Sequence, residues 1–201
     1  MPIVVAEGTP IPTKFSVPGS LGNALPLPQI SIQRSPQRED AWCYAACAEM
    51  VITICKPNPI VQQCAIAGFI KKTDCCQNTP TVCTSSGCQK NEIGKIFDKF
   101  GIDYEGSDPN HPTEVGPVLL AEILSEVSAN PPRPVEAVID WDVGGGQSSH
   151  AVVIVGVNGS SIYVIDPLRG INYNGWQPYD FVLRGFGQGH WVRTWLKLRK
   201  K

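Results

Sequence analysis

Residues 35–51 of the chain read SPQREDAWCYAACAEMV. From Ala41 onward this pattern predicts a helix, because apolar and small residues recur three and four positions apart along one face. Asp40 is a suitable N-cap, which places Cys43 in the first turn. Unpaired backbone amides and the helix dipole favour an anion there and lower the pKa of a thiol. We therefore predict that Cys43 is a reactive thiolate and that Cys47, one turn deeper, belongs to the core.

A second informative stretch, residues 144–167, reads GGGQSSHAVVIVGVNGSSIYVIDP. Two β-branched runs flank Asn158-Gly159, which predicts a β-hairpin. A three-residue loop at 157–159, with its glycine left-handed, would place His150 directly opposite Asp166 on one face. Opposed Cβ atoms lie about 5 Å apart, so the carboxylate could hold one imidazole nitrogen and present the other. A two-residue loop would shift the register by one position and put the two side chains on opposite faces.

The other two histidines have no acid at a comparable offset. His111 lies in a turn-forming segment, and His190 is predicted to be structural.

The order of these residues resembles that of papain-like cysteine proteases. Gln37 precedes Cys43 by six positions, the cysteine opens a helix and is followed by an aromatic and two small residues, and His150 precedes Asp166 by sixteen. The bacterial branch of that family, which includes secreted effector proteases and bacteriocin leader peptidases, is the most similar. The segments that carry this likeness are Trp42–Cys47, Gln63–Ala67, Asp74–Cys76 and the glycine-rich run before His150.

The resemblance implies an α+β, papain-like fold of two lobes. A helical lobe, about 33–130, would carry the nucleophile helix, and a lobe with an antiparallel β-sheet, about 131–201, would carry the histidine and the acid. It also implies an oxyanion hole made by the Gln37 side chain and the Cys43 backbone amide. The chain departs from plant and lysosomal members, since Asp166 replaces their asparagine and Pro167 follows where a tryptophan is usual. We expect Trp176 or Trp191 to shield the histidine–acid bond instead.

These residues predict a cysteine endopeptidase that acts on a protein or peptide substrate, as a monomer and without a cofactor or metal. A glutamine deamidase or a transglutaminase-like acyl transferase would use the same triad. A third possibility is an inactive, cysteine-rich binding protein on the same scaffold.

The rest of the chain gives a coarser pattern. Residues 1–32 are rich in proline and lack periodicity, so we predict an extended arm or a prosegment remnant before a peptidase domain at 33–201. The predicted helices are Ile60–Lys71, Asn91–Phe100 and Val115–Val127. The predicted strands, besides the hairpin, are Val135–Trp141, Asp180–Leu183 and Trp191–Leu198.

Cysteine usage indicates the compartment. Five of the eight cysteines fall between residues 64 and 88, in a segment poor in apolar residues. We interpret the cluster as disulfides, with at least one cysteine besides Cys43 left unpaired because the other seven are an odd number, and this implies an oxidising location, secreted or periplasmic. The adjacent Cys75 and Cys76 should then bond to different partners. A zinc site and a set of reduced thiols are the alternatives.

Charge and hydropathy argue against two classes of partner. The net charge is -1, and the only basic block is the short tail after Trp195. This balance disfavours nucleic acid or an anionic membrane as the main partner. No apolar run reaches the length of a transmembrane helix, and the first residues lack a basic segment typical of signal peptides.

Overall fold

The structure, a computed structural model, describes residues 29–77, 79–88, 92–106, 116–142, 148–170 and 172–201. The strands are β1 (Ile102–Gly106), β2 (Val135–Trp141), β3 (Ser148–Asn158), β4 (Ser161–Ile165), β5 (Gly175–Pro178) and β6 (Gly189–Lys200). The helices are α1 (Cys43–Cys55), α2 (Gln63–Lys71), α3 (Thr81–Thr84), α4 (Glu92–Phe100), α5 (Leu120–Val127) and α6 (Tyr179–Leu183), followed by a 3₁₀ turn at Gly185–Gly187.

All six strands form one antiparallel sheet in the order β1-β6-β2-β3-β4-β5. Among the described elements, four of the six helices precede the first strand, and four strands follow β2 in the chain. The predicted α+β class is therefore confirmed. Most of the predicted arm lies outside the described residues, but its end pairs with the sheet, since the Ile30 amide donates to the Val155 carbonyl at 2.7 Å.

Helix α1 is the centre of the core. Eight of its thirteen residues are buried, and Cys47 is fully buried, as predicted. The helix packs against β3, α2 and α4. Because each fully buried Val, Ile or Met side chain contributes about 1.5–3 kcal/mol, this packing holds α1 in place from several sides. The first residue of α1 is thereby set against the sheet with little freedom to move.

The hairpin has a different register from the predicted one. Asn158 pairs with Ser161, so the loop has two residues, although Gly159 is left-handed (φ 57°) as predicted. A two-residue loop alone would separate the histidine from the acid. The ladder, however, shifts by one residue between Ile154 and Gly156, where Val155 forms a β-bulge. The extra residue of the bulge shifts the register by one more position and returns both side chains to the same face of the sheet. Residues 150 and 166 are therefore diagonal neighbours rather than a directly opposed pair.

Several other elements differ from their predictions. Residues 180–183 belong to α6 and not to a strand; Pro178 takes the N-cap position, and Asp180 lies in the first turn, where a negative charge stabilises a helix. Strands β1 and β5 were not predicted. Both lie at sheet edges, and β5 contains only half-buried and exposed residues, so its sequence lacks the alternation typical of a packed strand. Helices α2 and α5 begin three and five residues later than predicted.

Two disulfides hold the segment after α2. Cys64 bonds to Cys76 and Cys75 to Cys83, so the adjacent cysteines have different partners, as predicted. Within the described residues 72–77 and 79–88, the cysteines at 75 and 83 are the only buried side chains. Disulfides therefore supply the cohesion that this segment lacks in apolar contacts.

Within the described ranges, none of the helices has the length and apolar character needed to span a membrane.

Candidate active site

Cys43 is the first residue of α1, and its neighbour Trp42 occupies the N-cap position that was predicted for Asp40. Trp42 makes no side-chain capping bond. Its buried indole Nε1 instead donates to the Cys83 carbonyl at 2.6 Å, and its amide donates to the Glu39 carbonyl at 3.0 Å. The disulfide-bonded segment thus anchors the start of the helix. The first-turn amides remain free of helical partners, as the prediction for the thiol requires.

The structure brings Cys43, His150 and Asp166 together. His150 Nε2 lies 2.7 Å from Asp166 Oδ1, and both side chains are buried. Since Nε2 is engaged by the carboxylate, Nδ1 is the ring nitrogen left to interact with the Cys43 thiol. The carboxylate also accepts hydrogen bonds from the Leu168 amide at 2.9 Å and the Tyr173 amide at 2.8 Å. All of its bonding partners stabilise the ionised form.

The pKa values of the three groups move in the directions that favour an ion pair. Burial alone would raise the pKa of Cys43, but the hydrogen bond and charge of His150, with the amides of Ala151 and Tyr44, lower it. Burial alone would lower the pKa of His150, but Asp166 and Cys43 raise it to about 9. Burial likewise opposes ionisation of Asp166, and its hydrogen bonds outweigh this and lower the pKa. These opposite shifts favour a thiolate paired with an imidazolium over a neutral thiol beside a neutral imidazole.

Cys47, Cys55 and Cys88 are the other free thiols among the described cysteines. Burial raises the pKa of all three, that of Cys55 to about 12. The contrast between these thiols and Cys43 comes from the imidazole and the amides that only Cys43 contacts. Cys88 lies in the same cleft as Cys43, so its raised pKa keeps a second thiol there in the neutral form.

Trp141, at the end of β2, stacks on the His150 ring with a centroid distance of 4.9 Å and an interplanar angle of 25°. The expectation that Trp176 or Trp191 would shield the histidine is wrong. Trp176 packs against Tyr163 and Trp191 against Tyr179. Strand pairing could have identified Trp141, because Ile139 lies opposite the histidine and residue 141 is its neighbour on the same face.

Gln37 is buried close to the start of α1. Its Nε2 donates to the Asp40 carbonyl at 2.6 Å and to the Glu39 carbonyl at 3.1 Å, and its backbone amide donates to the Pro167 carbonyl at 2.8 Å. Among the described residues, no group bonds to its Oε1. In this arrangement Gln37 fixes the turn that leads into Cys43.

The segment around Gln37 is tied directly to the loop that carries the acid. Arg34 Nε donates to the Asp166 carbonyl at 2.6 Å, and its Nη2 donates to the Leu168 carbonyl. These bonds, with that from the Gln37 amide to residue 167, connect the two sides of the site through the backbone.

A cleft opens at Cys43 and His150. Its walls come from the turn before α1, the segment after α3 and the ends of β2 and β3, and they include Asp40, Gly87, Cys88, Trp141 and Ser149. An adjoining small pocket of about 40 Å³ is lined by Tyr44, Ile93, Val138 and Ala151 and is mainly apolar. An extended chain lying in the cleft would meet the thiol at one end of an apolar recess.

Sequence reasoning missed the buried acid Glu136 on β2. Among the described residues, neither of its carboxylate oxygens has a hydrogen-bond partner. Burial, and then the charge of Cys43, raise its pKa. No periodicity could have found it, because it occupies a position that the strand pattern assigns to apolar residues.

The remaining predicted candidates are not part of the triad that the described residues form. His111 and the glycines 144–146 are outside the described residues. His190 is largely exposed and lies 3.8 Å from the Asp142 carboxylate. Within the described part of the chain, no group of three or more His, Cys, Asp or Glu side chains is arranged to hold a metal ion.

Comparison with known proteins gives a family and a fold. A model described as the Peptidase_C39 like family matches residues 29–200. The peptidase domain of Streptococcus ComA, a bifunctional ABC transporter involved in quorum sensing, is 14% identical with a TM-score of 0.51, covering 83% of this chain and 97% of that chain. A C39-like peptidase from Bacillus anthracis is 18% identical with a TM-score of 0.53, covering 84% and 96%.

A third solved structure is a double-glycine-motif protease of an AMS/PCAT transporter in complex with the leader peptide. It is 16% identical with a TM-score of 0.48, covering 86% of this chain and 94% of that chain. A search of curated proteins gave no match. The first two structures confirm the predicted papain-like fold.

Proposed function

Because the chain belongs to the Peptidase_C39-like family of cysteine peptidases, we propose that it is an endopeptidase with Cys43 as nucleophile, His150 as base and Asp166 as the group that orients the base. The family confirms the resemblance that the sequence predicted. The single observation that carries the residue assignment is the buried His150–Asp166 pair, 2.7 Å between Nε2 and Oδ1, whose ring interacts with the partly exposed Cys43 thiol at the start of α1.

The first half of the reaction forms an acyl enzyme. The Cys43 thiolate attacks the carbonyl carbon of the scissile peptide, and the carbonyl electron pair moves to oxygen. When the tetrahedral species collapses, the carbon–nitrogen bond breaks and His150 Nδ1 gives its proton to the leaving amine. In the second half, the now neutral imidazole takes a proton from water, the hydroxide attacks the thioester, and the thiolate leaves with the imidazolium restored.

Two donors are proposed for the oxyanion. The backbone amide of Cys43 is one, because the first amides of a helix have no intrahelical acceptor. One Nε2 hydrogen of Gln37 is the other. In the resting structure that nitrogen bonds to two carbonyls, so the role requires it to exchange the longer bond, 3.1 Å to Glu39, for the oxyanion. The bond to Asp40, at 2.6 Å, would hold the amide in place during the exchange.

Peptide cleavage is tested by mass spectrometry of an unfolded protein substrate such as reduced, alkylated casein. We expect new peptide termini with the native chain, almost no cleavage with Cys43→Ala, and a fall of about 10²- to 10³-fold with Gln37→Ala. Intact substrate carrying a gain of about one dalton at glutamine would instead identify a deamidase, and a crosslinked product an acyl transferase. An absence of all three products would favour a binding protein without turnover.

Covalent labelling separates an active thiol from an inert one. An epoxide inhibitor should add one equivalent to the native chain and to Cys55→Ala, but none to Cys43→Ala. Cys55 is a matched control, because it is a free, half-buried thiol whose pKa is raised to about 12. Labelling that survives in Cys43→Ala would overturn the assignment.

We also propose a peptide substrate for a monomeric enzyme in an oxidising compartment, secreted or periplasmic. The two disulfides support this, since such bonds persist where glutathione and thioredoxin do not reduce them. Non-reducing and reducing intact-mass analysis of the protein from its native location should differ by the four hydrogens of two disulfides. A fully reduced native protein would contradict the proposal.

A further inference from the structure

Gln63, the first residue of α2, is a buried amide outside the triad with every polar atom engaged. The two hydrogens of its Nε2 are shared among three acceptors, the Pro36 carbonyl at 3.1 Å, Ser35 Oγ at 2.9 Å and Glu49 Oε2 at 3.0 Å. Its Oε1 accepts the amide of Arg38 at 2.9 Å. A polar side chain this deeply buried is costly unless it is fully paired, and this one is.

The partners of Gln63 lie on both sides of Gln37. The carbonyl of residue 36 and the amide of residue 38 are the polar groups of the peptide units that flank Gln37, and a single side chain holds both. The Gln37 amide is held separately by the Pro167 carbonyl at 2.8 Å. The backbone of Gln37 therefore has three fixed points, although residues 30–37 form no helix or strand.

The bonds from Gln63 to residues 36 and 38 determine where the Gln37 side chain can reach. The side chain holds the turn at residues 39 and 40, and that turn leads directly into Cys43. A shift of the peptide at residue 37 would move both the amide Nε2 and the turn before the helix. Misplacing a catalytic donor by about 1 Å can cost on the order of 10²-fold in rate.

We infer that Gln63 is a positioning residue that holds Gln37, and with it the oxyanion side of the site, in the productive place. The inference rests on the proposed peptidase function. Gln63 does not touch the substrate in this role; it acts through Gln37.

The hydrogen-bond partners of residue 63 explain why a glutamine is needed at this position. The site requires two donors and one acceptor on one planar group. A glutamate would face the Pro36 carbonyl and the Glu49 carboxylate with no hydrogen to donate. A methionine fills a similar volume without any of these bonds, and an asparagine is one methylene too short to make all of them.

The test compares Gln63→Met with Gln62→Met. Gln62 is the adjacent glutamine, its side chain is exposed, and it precedes the same helix, so it controls for changes at the start of α2. In Gln63→Met we expect kcat to fall about 10- to 100-fold with KM nearly unchanged, because the transition state loses a donor that the ground state does not use. In Gln62→Met we expect both values to stay within about twofold, since no oxyanion contact is lost.

A second measurement distinguishes positioning from a general loss of structure. Peptide aldehydes form a hemithioacetal whose oxygen occupies the oxyanion site, whereas iodoacetamide alkylates the thiolate without forming one. Gln63→Met should weaken aldehyde inhibition by the same factor as kcat and leave the alkylation rate of Cys43 unchanged. Equal losses in both would mean that the whole site has collapsed, and unchanged kcat would mean that Gln63 has no part in it; either result overturns the inference.

A double-mutant cycle separates this inference from the proposed function. If Gln63 acts through Gln37, then Gln37→Ala combined with Gln63→Met should be no slower than Gln37→Ala alone. Additive losses would overturn the inference while leaving the oxyanion role of Gln37 intact. Full activity in Gln37→Ala would overturn that role and the inference together. Gln63→Asn, which keeps a polar amide, repeats the test if the methionine variant does not fold.

Discussion

Replacing Asp166 by asparagine should isolate the contribution of its charge. Asparagine has nearly the same shape, and its Oδ1 can still accept the hydrogen bond from His150 Nε2 and that from the Leu168 amide. The ring should therefore keep its orientation. What is lost is the negative charge beside the imidazolium, together with an acceptor for the Tyr173 amide at 2.8 Å.

The size of the expected change can be estimated from the pKa of His150. Despite burial, which lowers it, this pKa is raised from 6.5 to about 9, and the Asp166 hydrogen bond is the largest cause that raises it. An opposite charge at this distance typically shifts a pKa by about 1–3 units, which is about 1.4–4 kcal/mol. Cys43 supplies part of the shift as well. We expect Asp166→Asn to lower the pKa of His150 by about one to two units and to raise that of Cys43.

The assay is the pH profile of kcat/KM together with that of Cys43 alkylation. In the native enzyme, kcat/KM should fall on the alkaline side near pH 9, where the imidazolium loses the proton that the leaving amine needs. In Asp166→Asn this limb should move to about pH 7–8, while alkylation at neutral pH should slow because less thiolate is present. The matched control is Asp98→Asn, which makes the same change in net charge. Asp98 is an exposed aspartate that pairs with Lys201.

An alkaline limb that stays near pH 9 in Asp166→Asn would refute the reasoning, because the carboxylate would then contribute no charge to the imidazolium. A uniform fall at every pH with no shift would assign Asp166 to orientation alone.

Three further changes have defined outcomes. Trp141→Leu removes the ring stacked on the imidazolium, so kcat/KM should fall about 2- to 30-fold, matching a cation–π contribution of about 0.5–2 kcal/mol, with an alkaline limb at lower pH. Glu136→Met removes two unpaired buried oxygens and should raise the free energy of unfolding by about 1–3 kcal/mol in urea titrations. This gain should grow above pH 4.5. Because the pKa of Glu136 is raised in the folded state, the native protein loses stability as the pH rises from the unfolded-state pKa, 4.5, towards the folded-state pKa. Serine at both Cys75 and Cys83 should cost about 2.5 kcal/mol from loop entropy, measured by the same titration.

The nucleophile helix could be predicted well because local rules determine it. The spacing of buried residues in α1 identified its inner face, and Cys43 lies in the first turn as expected. The N-cap was assigned wrongly for a tertiary reason. Asp40 has the better capping side chain, but the indole of Trp42 bonds to the Cys83 carbonyl, a residue forty-one positions away, and so fixes where the helix begins.

The groups that support the triad could not be predicted in the same way. Trp141 reaches the histidine through strand pairing between β2 and β3, and Gln63, in α2, bonds to the residues on either side of Gln37. Each contact joins segments whose relative placement depends on the whole fold. A single sequence shows which residues are capable of these roles but not which of them meet.

The meeting of His150 with Asp166 shows how a correct pairing can follow from a wrong register. Two side chains on paired antiparallel strands share a face whenever the sum of their numbers has the same parity as that of the opposed pairs. The tight loop, which pairs 158 with 161, gives odd sums and would put His150 and Asp166 on opposite faces. The extra residue at Val155 makes the sums even, as at the pair of Ile154 with Val164. The Val155 carbonyl at this bulge accepts the hydrogen bond from the Ile30 amide. The segment leading to Gln37 is therefore joined to the sheet at the bulge itself. A bulge of this kind leaves no mark in hydrophobic alternation, because the residues on both sides of it are buried. A regular three-residue loop would also put residues sixteen apart on one face, but this chain reaches the same result by combining a two-residue loop with this bulge.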